Sequence, residues 1–448
     1  MGPTVSFFTL GCRLNQSETA VLEGLFRDKG FCVVDFKDRA DIFVVNSCTV
    51  TSAGDAAARY AMKKAIALHS QVRIAIIGCQ AQVQRERLLA LPNVQWVIGT
   101  ARKMRLADIL WNDISSREKK ILVPYISRNA FTMPLTLGRG RRTRANLKVQ
   151  DGCDNFCAYC EIPYARGRSR SRKFSNVIAE AHALAHVGHQ EIVLTGVNIG
   201  DYKDDTKCLM DVVKGLEMIK GIVRIRISSI ESTKIPRKLV RFMNRPHKLC
   251  RFLHVPVQSG CDKLLKRMGR TYATAEFSSM VRSLVKKVPG IMIGTDVIVG
   301  FPGETPEDFE ETVRFLTKTD VHYIHVFSYS HRYRARSRRF EGEVPASVIS
   351  SRSRVLRRLS AQKRGAFLGS LLGRRERALF EHKKNEYWIG HLDNYVTIKI
   401  KSDHNLKNVF ADVILEKVDG EVVLASLANS GKAYGSCSED QGSYHCVE

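Results

Sequence analysis

Three cysteines lie close together in the chain at Cys153, Cys157 and Cys160, with the spacing C-x₃-C-x₂-C. Thiolates spaced in this way can bind three irons of a [4Fe–4S] cluster and leave the fourth iron open to a substrate or cofactor. Zinc is one alternative, but it usually takes paired CxxC units or Cys and His pairs, and the sequence has no second CxxC. A redox CxxC is another alternative, against which Cys153 and Gly152 argue. The spacing therefore favours an iron–sulfur cluster.

Three further cysteines, Cys12, Cys48 and Cys79, each come directly after a predicted strand. Because the carboxyl ends of parallel strands meet at one edge of a sheet, these thiols could share one metal site. Gly11 and Gly78 would let the backbone turn tightly beside it. Three unrelated buried cysteines are an equally good interpretation from the residues alone. The remaining cysteines are interpreted as non-ligands: Cys32, Cys208, Cys250, Cys261, Cys437 and Cys446.

Alternating strand and helix patterns must position these cysteines. The first hundred residues predict a doubly wound parallel α/β sheet. Its helices are predicted at 17–27, with Ser17 as N-cap, and at 56–68. Its predicted strands are Val5–Leu10, Ile42–Asn46 and Ile74–Ile77.

A longer region continues the alternation of strands and helices and contains six predicted strands. This pattern predicts a parallel (β/α) barrel or partial barrel. These strands are Leu147–Gln150, Glu191–Thr195, Arg224–Ser228, Phe252–Val257, Gly294–Val299 and Ile324–Ser328. From about Leu371 five short alternating strands predict a small all-β barrel. The expected domains are therefore 1–115, 142–370 and 371–430, with a linker near 115–137 and a mobile tail over 431–448.

The composition narrows the class of partner. The chain has 448 residues and a net charge of +26, from 71 Lys and Arg against 45 Asp and Glu, which favours nucleic acid. We expect no membrane association and a cytoplasmic location, because no apolar run is long enough to span a bilayer and the start does not resemble a secretory signal. Two basic runs, 138–173 with ten cations and 332–377 with fourteen, are interpreted as RNA phosphate contacts rather than solvated faces.

Several motifs together resemble one enzyme family, the radical S-adenosylmethionine methylthiotransferases, over nearly the whole chain before the tail. The opening motif is most similar to the branch that acts on threonylcarbamoyladenosine in tRNA. The motifs are Thr9-Leu-Gly-Cys-Arg-Leu-Asn-Gln16, Asn46-Ser-Cys-Thr-Val50, Leu147-Lys-Val-Gln-Asp-Gly-Cys-Asp-Asn-Phe-Cys157, Tyr164-Ala-Arg-Gly-Arg-Ser169, Leu194-Thr-Gly-Val-Asn-Ile199, His254-Val-Pro-Val-Gln-Ser259 and Thr295-Asp-Val-Ile-Val-Gly-Phe-Pro-Gly303.

The resemblance implies two [4Fe–4S] clusters, with S-adenosylmethionine bound at the open iron of the second. Reductive cleavage would give a radical that removes hydrogen from carbon 2 of the target adenine, where methylated sulfur is then inserted. The ligands would be Cys12, Cys48 and Cys79 for the first cluster, and Cys153, Cys157 and Cys160 for the second. The expected partners are a tRNA anticodon stem-loop and an electron donor such as flavodoxin or ferredoxin. The last barrel looks like the RNA-binding TRAM domain.

Several other side chains are candidates for contacts with the cofactor. Tyr159 lies inside the cysteine loop, and the others end predicted strands, where barrel enzymes place ligand groups. These strand-end residues are Thr195, Gly196, Ser229, Glu231 and Gln258. His254 and His325 are interpreted as core histidines. Trp388 and Tyr395 either stack on unpaired bases or fill the small barrel.

Three other functions remain open from the sequence. The target could be isopentenyladenosine in tRNA or an aspartate of a ribosomal protein, and a non-enzymatic RNA-binding protein with structural metals is an alternative of another class. The chain also departs from the family pattern at one point. Arg334-Ala335 stands where the family usually has Gly-Thr, which would alter a loop near the substrate.

Overall fold

The computed structural model describes residues 2–135, 143–244 and 247–428. The predicted mobile tail, Cys437, Cys446 and residues 138–142 of the first basic run lie outside the described residues. The chain divides into two compact units, Met1–Ala361 and Gln362–Glu448. No helix among the described residues is both long and apolar enough to cross a membrane.

The first unit begins with a six-stranded sheet in the order β2-β1-β3-β4-β5-β6, and every neighbouring pair is parallel. Its last strand lies in the predicted linker. The strands are β1 (Thr4–Thr9), β2 (Cys32–Val34), β3 (Ile42–Ser47), β4 (Arg73–Gly78), β5 (Val94–Ile98) and β6 (Lys120–Leu122). The helices are α1 (Arg13–Asp28), α2 (Ser52–Leu68), α3 (Cys79–Val83), α4 (Arg85–Leu89) and α5 (Leu106–Asn112).

Alternating side chains of this sheet form two cores. Ala75 and Ile77 of β4 pack with Phe26 of α1, while Ile74 of the same strand packs with Met62 of α2. Side chains of a strand point alternately to opposite faces, so helices cover both faces of the sheet. The predicted doubly wound sheet is confirmed.

Helix α1 begins a turn earlier than its apolar spacing predicts. Cys12 holds the N-cap position, without a side-chain capping bond. Ser17 is buried, and its hydroxyl donates to the carbonyl oxygen of Leu14 at 2.9 Å. The prediction that Ser17 caps the helix is therefore wrong. The real start places the first predicted thiol at the helix N-terminus.

The rest of the first unit contains six further parallel strands, each close to its predicted position. They are β7 (Arg144–Lys148), β10 (Glu191–Thr195), β13 (Arg224–Ile227), β14 (Phe252–His254), β15 (Met292–Val299) and β16 (Tyr323–Ser328). Short strands connect them: β8 (Gln150–Asp151), β9 (Arg170–Ser171), β11 (Lys203–Asp204) and β12 (Lys207–Cys208). The helices are α6 (Ile162–Arg166), α7 (Phe174–His186), α8 (Leu209–Glu217), α9 (Arg237–Phe242), α10 (Asp262–Met268), α11 (Thr274–Lys287), α12 (Pro306–Lys318) and α13 (Ala346–Gly369), whose last eight residues belong to the second unit.

These strands form two parallel sheets, β13-β10-β7 and β14-β15-β16. A parallel bridge between Ile225 and Leu249 joins the two sheets just before β14. The strands therefore follow one another in chain order as a partial barrel, as the sequence predicts. Apolar side chains from both sheets and the outer helices share one core.

The second unit contains a closed five-stranded barrel in the order β17-β18-β19-β21-β20. The predicted small all-β barrel is confirmed. Trp388 is only 8% exposed, so of its two interpretations the structure supports filling the barrel. The strands are β17 (Arg375–Lys384), β18 (Tyr387–Leu392), β19 (Thr397–Lys401), β20 (Phe410–Asp419) and β21 (Val422–Leu427).

Candidate active site

Three adjacent strands bring Cys12, Cys48 and Cys79 to one edge of the first sheet. The thiols follow β1, β3 and β4, which lie side by side in parallel register. Two glycines make the approach possible. A Cβ atom at Gly11 would lie 2.7 Å from the Sγ of Cys48, and one at Gly78 would lie 2.4 Å from the carbonyl oxygen of Ser47. Both have positive φ, which glycine adopts without strain.

A buried carboxylate, Glu18 of α1, lies behind this edge and binds three cations. The distances from its oxygens are 2.5 Å to Lys103 Nζ, 2.7 Å to Lys148 Nζ and 3.0 Å to Arg166 Nη1. Burial alone would raise the pKa of Glu18, but the nearby Arg166, Lys103 and Lys148 hold that pKa well below its ordinary value. Glu18 is therefore a permanent anion.

A second buried carboxylate, Asp151, extends the same network. It accepts hydrogen bonds from Lys148 at 2.7 Å, from Arg166 at 3.0 Å and from Arg170 at 3.3 Å. Arg166 also donates through Nε to the Sγ of Cys79 at 3.2 Å. The network thus contains four cations and only two carboxylates. Its excess positive charge fits an anionic group held by the thiolates beside it.

The network corrects one prediction from the sequence. Lys148, Arg166 and Arg172 belong to the first basic run, and all three side chains are buried. Lys148 and Arg166 bind Glu18 and Asp151, and Arg172 pairs with Glu180. These three cations cannot contact RNA phosphates, because burial and their ion pairs leave them inaccessible.

The second cysteine trio lies between β8 and α6. The Cys160 amide donates to the Cys157 carbonyl at 3.0 Å, and the Cys153 amide to the Gly167 carbonyl at 3.2 Å. Arg270 donates to the Sγ of Cys157 at 3.3 Å and pairs with Glu231. An arginine therefore approaches one sulfur in each trio.

Burial affects the free thiols strongly. It raises the pKa of Cys48 and of Cys160 to about 12, and that of Cys153 to about 11. Without metal these thiols hold their protons at neutral pH, and metal binding would release them.

The donor chemistry of the two trios fits a cluster. Each trio offers three thiolates, and a four-iron cluster binds each thiolate to a different iron. Structural zinc sites usually take four Cys or His ligands. In the described part of the chain, a separate group of side chains, His254, Asp296 and His325, places three ligand atoms within 4.8 Å of one another.

One cleft, with about 730 Å³ of empty space, touches residues beside both trios. The residues that follow Cys48 line one part of it, and Cys160 with its neighbours lines another. Thr49 donates to Glu161 across this region, which ties the two loops together. The lining residues are Thr49, Val50, Thr51, Tyr159, Cys160, Glu161, Ile162, Gln258, Asp296, Ile298, Phe327, Ser328, Tyr329, Ser330 and Arg332. A substrate in this cleft would lie next to both cysteine sites.

The predicted cofactor contacts lie in different places. Tyr159 and Gln258 line the shared cleft. Glu231 lines a second cleft of about 670 Å³ together with Cys157 and Arg270. Their assignment to the cofactor stays a prediction.

The other three predicted cofactor contacts, Thr195, Gly196 and Ser229, do not line either of these two clefts. Thr195 is buried, and its hydroxyl donates to the Val193 carbonyl within its own strand. A Cβ atom at Gly196 would lie 2.9 Å from the Gln150 side chain. Ser229 is half-buried. These assignments also stay predictions.

Three functional candidates escaped the sequence reasoning: Arg166, Arg270 and Asp296. Arg166 lies in the motif that runs from Tyr164 to Ser169, but the basic run around it predicts a phosphate contact. No pattern in the sequence marks Arg270. Asp296 lines the cleft, where His254 binds it at 2.8 Å and His325 at 3.5 Å. His254 is buried as predicted, but the His325 side chain is 57% exposed, so its prediction as a core histidine is wrong. Side chains of an edge strand can face solvent, and β16 ends its sheet.

Comparison with known proteins assigns the two parts of the first unit. Residues 4–99 match the model of the uncharacterized protein family UPF0004, and residues 147–316 match the radical SAM superfamily. A solved structure of the radical S-adenosylmethionine methyltransferase TsrM from Kitasatospora setae superposes with a TM-score of 0.53. It covers 73% of each chain at 15% identity, and so supports the fold alone. The fold, the cysteine loop and the superfamily match define a radical S-adenosylmethionine enzyme.

Curated relatives give the family. The threonylcarbamoyladenosine tRNA methylthiotransferase MtaB of Bacillus subtilis is 36% identical over 90% of this chain and 91% of its own. The protein of the same name from Aquifex aeolicus is also 36% identical, over 88% and 96%. The tRNA-2-methylthio-N(6)-dimethylallyladenosine synthase of Thermodesulfovibrio yellowstonii is 30% identical over 90% and 94%. The chain belongs to the radical S-adenosylmethionine tRNA methylthiotransferase family, whose cofactors are [4Fe–4S] iron–sulfur clusters and S-adenosylmethionine.

Proposed function

We propose that the enzyme adds a methylthio group to carbon 2 of N(6)-threonylcarbamoyladenosine next to the anticodon of tRNA. The observation that carries the proposal is the single cleft bordered by Thr49–Thr51, after Cys48, and by Cys160. A sulfur donor and a radical source must both reach one carbon atom, and this cleft adjoins both sites.

The choice of adenosine rests on the relatives and on the cleft wall. The two relatives at 36% identity act, by name, on threonylcarbamoyladenosine, and the dimethylallyladenosine relative is 30% identical. The cleft is lined by Thr51 and Ser330, whose side chains carry hydroxyls. A threonylcarbamoyl group has a carboxylate, a hydroxyl and a urea to meet such groups, whereas a dimethylallyl group has none.

Each cysteine trio would hold one [4Fe–4S] cluster, the first through Cys12, Cys48 and Cys79 and the second through Cys153, Cys157 and Cys160. When bound, the clusters and S-adenosylmethionine supply the electron, the radical and the sulfur chemistry. An electron donor such as flavodoxin or ferredoxin would complete the system in the cytoplasm.

The chain's own residues supply binding and enclosure. Arg166 and Arg270 each donate to one cysteine sulfur. The Thr49–Glu161 hydrogen bond holds the two loops of the cleft together. A substrate that fills the cleft would exclude water and stray thiols from a reactive intermediate. Residues 371–430, proposed as a TRAM domain, would add RNA contacts of their own.

Analysis of tRNA nucleosides tests the proposal directly. In cells that lack the gene, mass spectrometry should show loss of 2-methylthio-N(6)-threonylcarbamoyladenosine and retention of its unmethylthiolated precursor. Return of the product with the wild-type gene, but not with a Cys48→Ala gene, would complete the assignment. An unchanged level of the product in the deleted cells would overturn it.

A test in vitro separates the alternatives. Anaerobically reconstituted enzyme should methylthiolate an anticodon stem-loop carrying threonylcarbamoyladenosine and leave the isopentenyladenosine form and a ribosomal-protein substrate unchanged. Reaction with the isopentenyladenosine form alone would assign the other tRNA branch. Bound zinc without cleavage of S-adenosylmethionine would support the non-enzymatic RNA-binding protein instead.

A further inference from the structure

A turn rich in arginine follows strand β16 at the border of the cleft. Arg332 is buried and pairs with Asp55 at 3.0 Å. The next cations are different: Arg334, Arg336, Arg338 and Arg339 are exposed. Across the described residues none of these four has an acidic side chain within ion-pair distance. The turn therefore presents four uncompensated positive charges.

The turn is anchored to the second cysteine loop. The Ser337 amide donates to the Ala158 carbonyl at 2.9 Å, and Arg336 donates to the Phe156 carbonyl at 3.0 Å. Ser337 is fully buried, and its hydroxyl bonds to that of Tyr329 at 2.8 Å. Backbone and buried contacts thus fix the turn, while the side chains of Arg334, Arg338 and Arg339 stay exposed. A fixed array of cations loses less conformational entropy when it binds a ligand.

An exposed aromatic ring lies among these cations. Tyr333 is 47% exposed, and the guanidinium carbons of Arg334 and Arg338 lie 5.5 and 5.7 Å from its ring centroid. Tyr333 directly follows Arg332, which lines the cleft. Aromatic rings and guanidinium planes are surfaces on which unpaired bases stack.

We propose that Arg334, Arg338 and Arg339, with Tyr333, bind the phosphates and an unpaired base of a single-stranded RNA loop at the mouth of the cleft. The inference rests on the proposed function only in taking an RNA loop as the substrate. Arg336 donates to a carbonyl of the cysteine loop, so we assign it to positioning the turn. Arg338 donates to the Tyr333 carbonyl at 2.6 Å, a hydrogen bond within the turn that holds its guanidinium near the Tyr333 ring.

The test compares two triple variants with the same change in charge. One is Arg334→Gln, Arg338→Gln and Arg339→Gln. The matched control is Arg282→Gln, Lys286→Gln and Lys287→Gln, whose three exposed cations lie on helix α11. Binding of an unmodified anticodon stem-loop RNA to each reconstituted holoenzyme would be measured over a series of salt concentrations. Cleavage of S-adenosylmethionine without RNA reports whether each variant keeps its clusters and fold.

The arginine variant should bind the RNA roughly 10- to 100-fold more weakly, and its slope of log K against log salt should fall by about 2. The control variant should bind within about threefold of the wild type, because its three cations lie on helix α11 and not on the turn. Tyr333→Ala should weaken binding about tenfold, while Tyr333→Phe should keep it, because stacking needs only the ring.

If the two triple variants bind the RNA with equal affinity and equal salt slope, the proposed RNA-binding surface is wrong, whichever nucleoside the enzyme modifies. If the arginine variant binds the RNA more weakly, the RNA-binding surface is supported. If the enzyme at the same time methylthiolates a different nucleoside, the proposed target is wrong. The two proposals can therefore fail separately.

Discussion

The two cysteine sites share one device and differ in their surroundings. In each site an arginine donates a hydrogen bond to one cysteine sulfur. Arg166 donates to Cys79 at 3.2 Å, and Arg270 donates to Cys157 at 3.3 Å. Arg166 belongs to a buried network of four cations and two carboxylates. Arg270 has one carboxylate partner, Glu231, and faces a cleft.

This difference suggests different duties for the two sites. Charges fixed in a buried network reorganise little and attract strongly, which suits a group that stays in place. A site with fewer fixed charges beside an open cleft suits a small molecule that enters and leaves in every turnover. We therefore expect the first site to respond to mutation mainly in stability and product formation, and the second mainly in cofactor cleavage.

The sharpest separation of the two sites comes from their cysteines. Cys48→Ala should reduce methylthio product more than 100-fold while reductive cleavage of S-adenosylmethionine continues, because only the first site loses a ligand. Cys157→Ala should abolish both. In each variant iron should fall from about eight to about four per chain. Product nucleoside, 5′-deoxyadenosine and iron would be measured after anaerobic reconstitution.

An exposed thiol provides the control for these variants. Cys32→Ala removes an exposed cysteine that pairs with Thr4 at the start of β1, at the end of the strand away from Cys12, and is interpreted as a non-ligand. It should retain full iron content and activity. Full product formation by Cys48→Ala would contradict the division of labour between the two sites.

Breaking the buried network should cause the largest loss of stability. Arg166→Gln leaves Glu18 and Asp151, which are both buried, with fewer cations. Removal of one partner from a buried ion pair typically costs about 3–5 kcal/mol. Thermal unfolding of the reconstituted enzyme should show this as a markedly lower midpoint. Arg166→Lys keeps the charge and should lose less, so equal losses in the two variants would argue against charge as the cause.

The equivalent change at the second site should have a smaller effect. Arg270→Gln leaves only Glu231 without its cation, next to a cleft that water can enter. A loss of about 2–3 kcal/mol is expected for one unsatisfied charged group. The reaction should suffer at cleavage of S-adenosylmethionine, measured as 5′-deoxyadenosine without RNA. A stability loss as large as that of Arg166→Gln would remove the distinction between the sites.

The convergence of Cys12, Cys48 and Cys79 could be predicted from the sequence because it depends on local pattern and a general rule. Each thiol ends a strand, and strands of a parallel sheet end at a common edge. The partners of the basic residues could not be predicted in this way. Lys148 binds Glu18, which lies 130 residues earlier in the chain. Only the packed structure brings that carboxylate to the lysine.

The two basic runs show the same limit. Both have a large excess of cations in the sequence, and both were interpreted as phosphate contacts. In the first run, Lys148 and Arg166 turn inward to buried carboxylates, whereas in the second run Arg334 and Arg338 remain exposed. A charge count reports how many cations a segment has and not which way its side chains point. Burial has to be known before a basic run is assigned to RNA.

Asp296, in the wall of the shared cleft, gives a test in which the expected loss of stability depends on pH. Burial alone would raise its pKa, but His254 and His325 lower the pKa to about 2, from 3.8. A carboxylate with a lowered pKa stabilises the fold above its ordinary pKa, and this contribution is lost as the pH falls from about 4 toward 2.

Asp296→Asn should therefore reduce the free energy of unfolding by about 2 kcal/mol at neutral pH, since one pKa unit corresponds to about 1.4 kcal/mol. The deficit should shrink as the pH falls below about 4, because the wild-type carboxyl then gains its proton as well. Urea unfolding at pH 7, 5 and 3 would measure it, with exposed Asp320→Asn as the control that should show almost no deficit. A deficit that stayed constant across this range would mean that Asp296 contributes through packing rather than through its charge, and the cleft wall would then hold no fixed anion between the two cysteine sites.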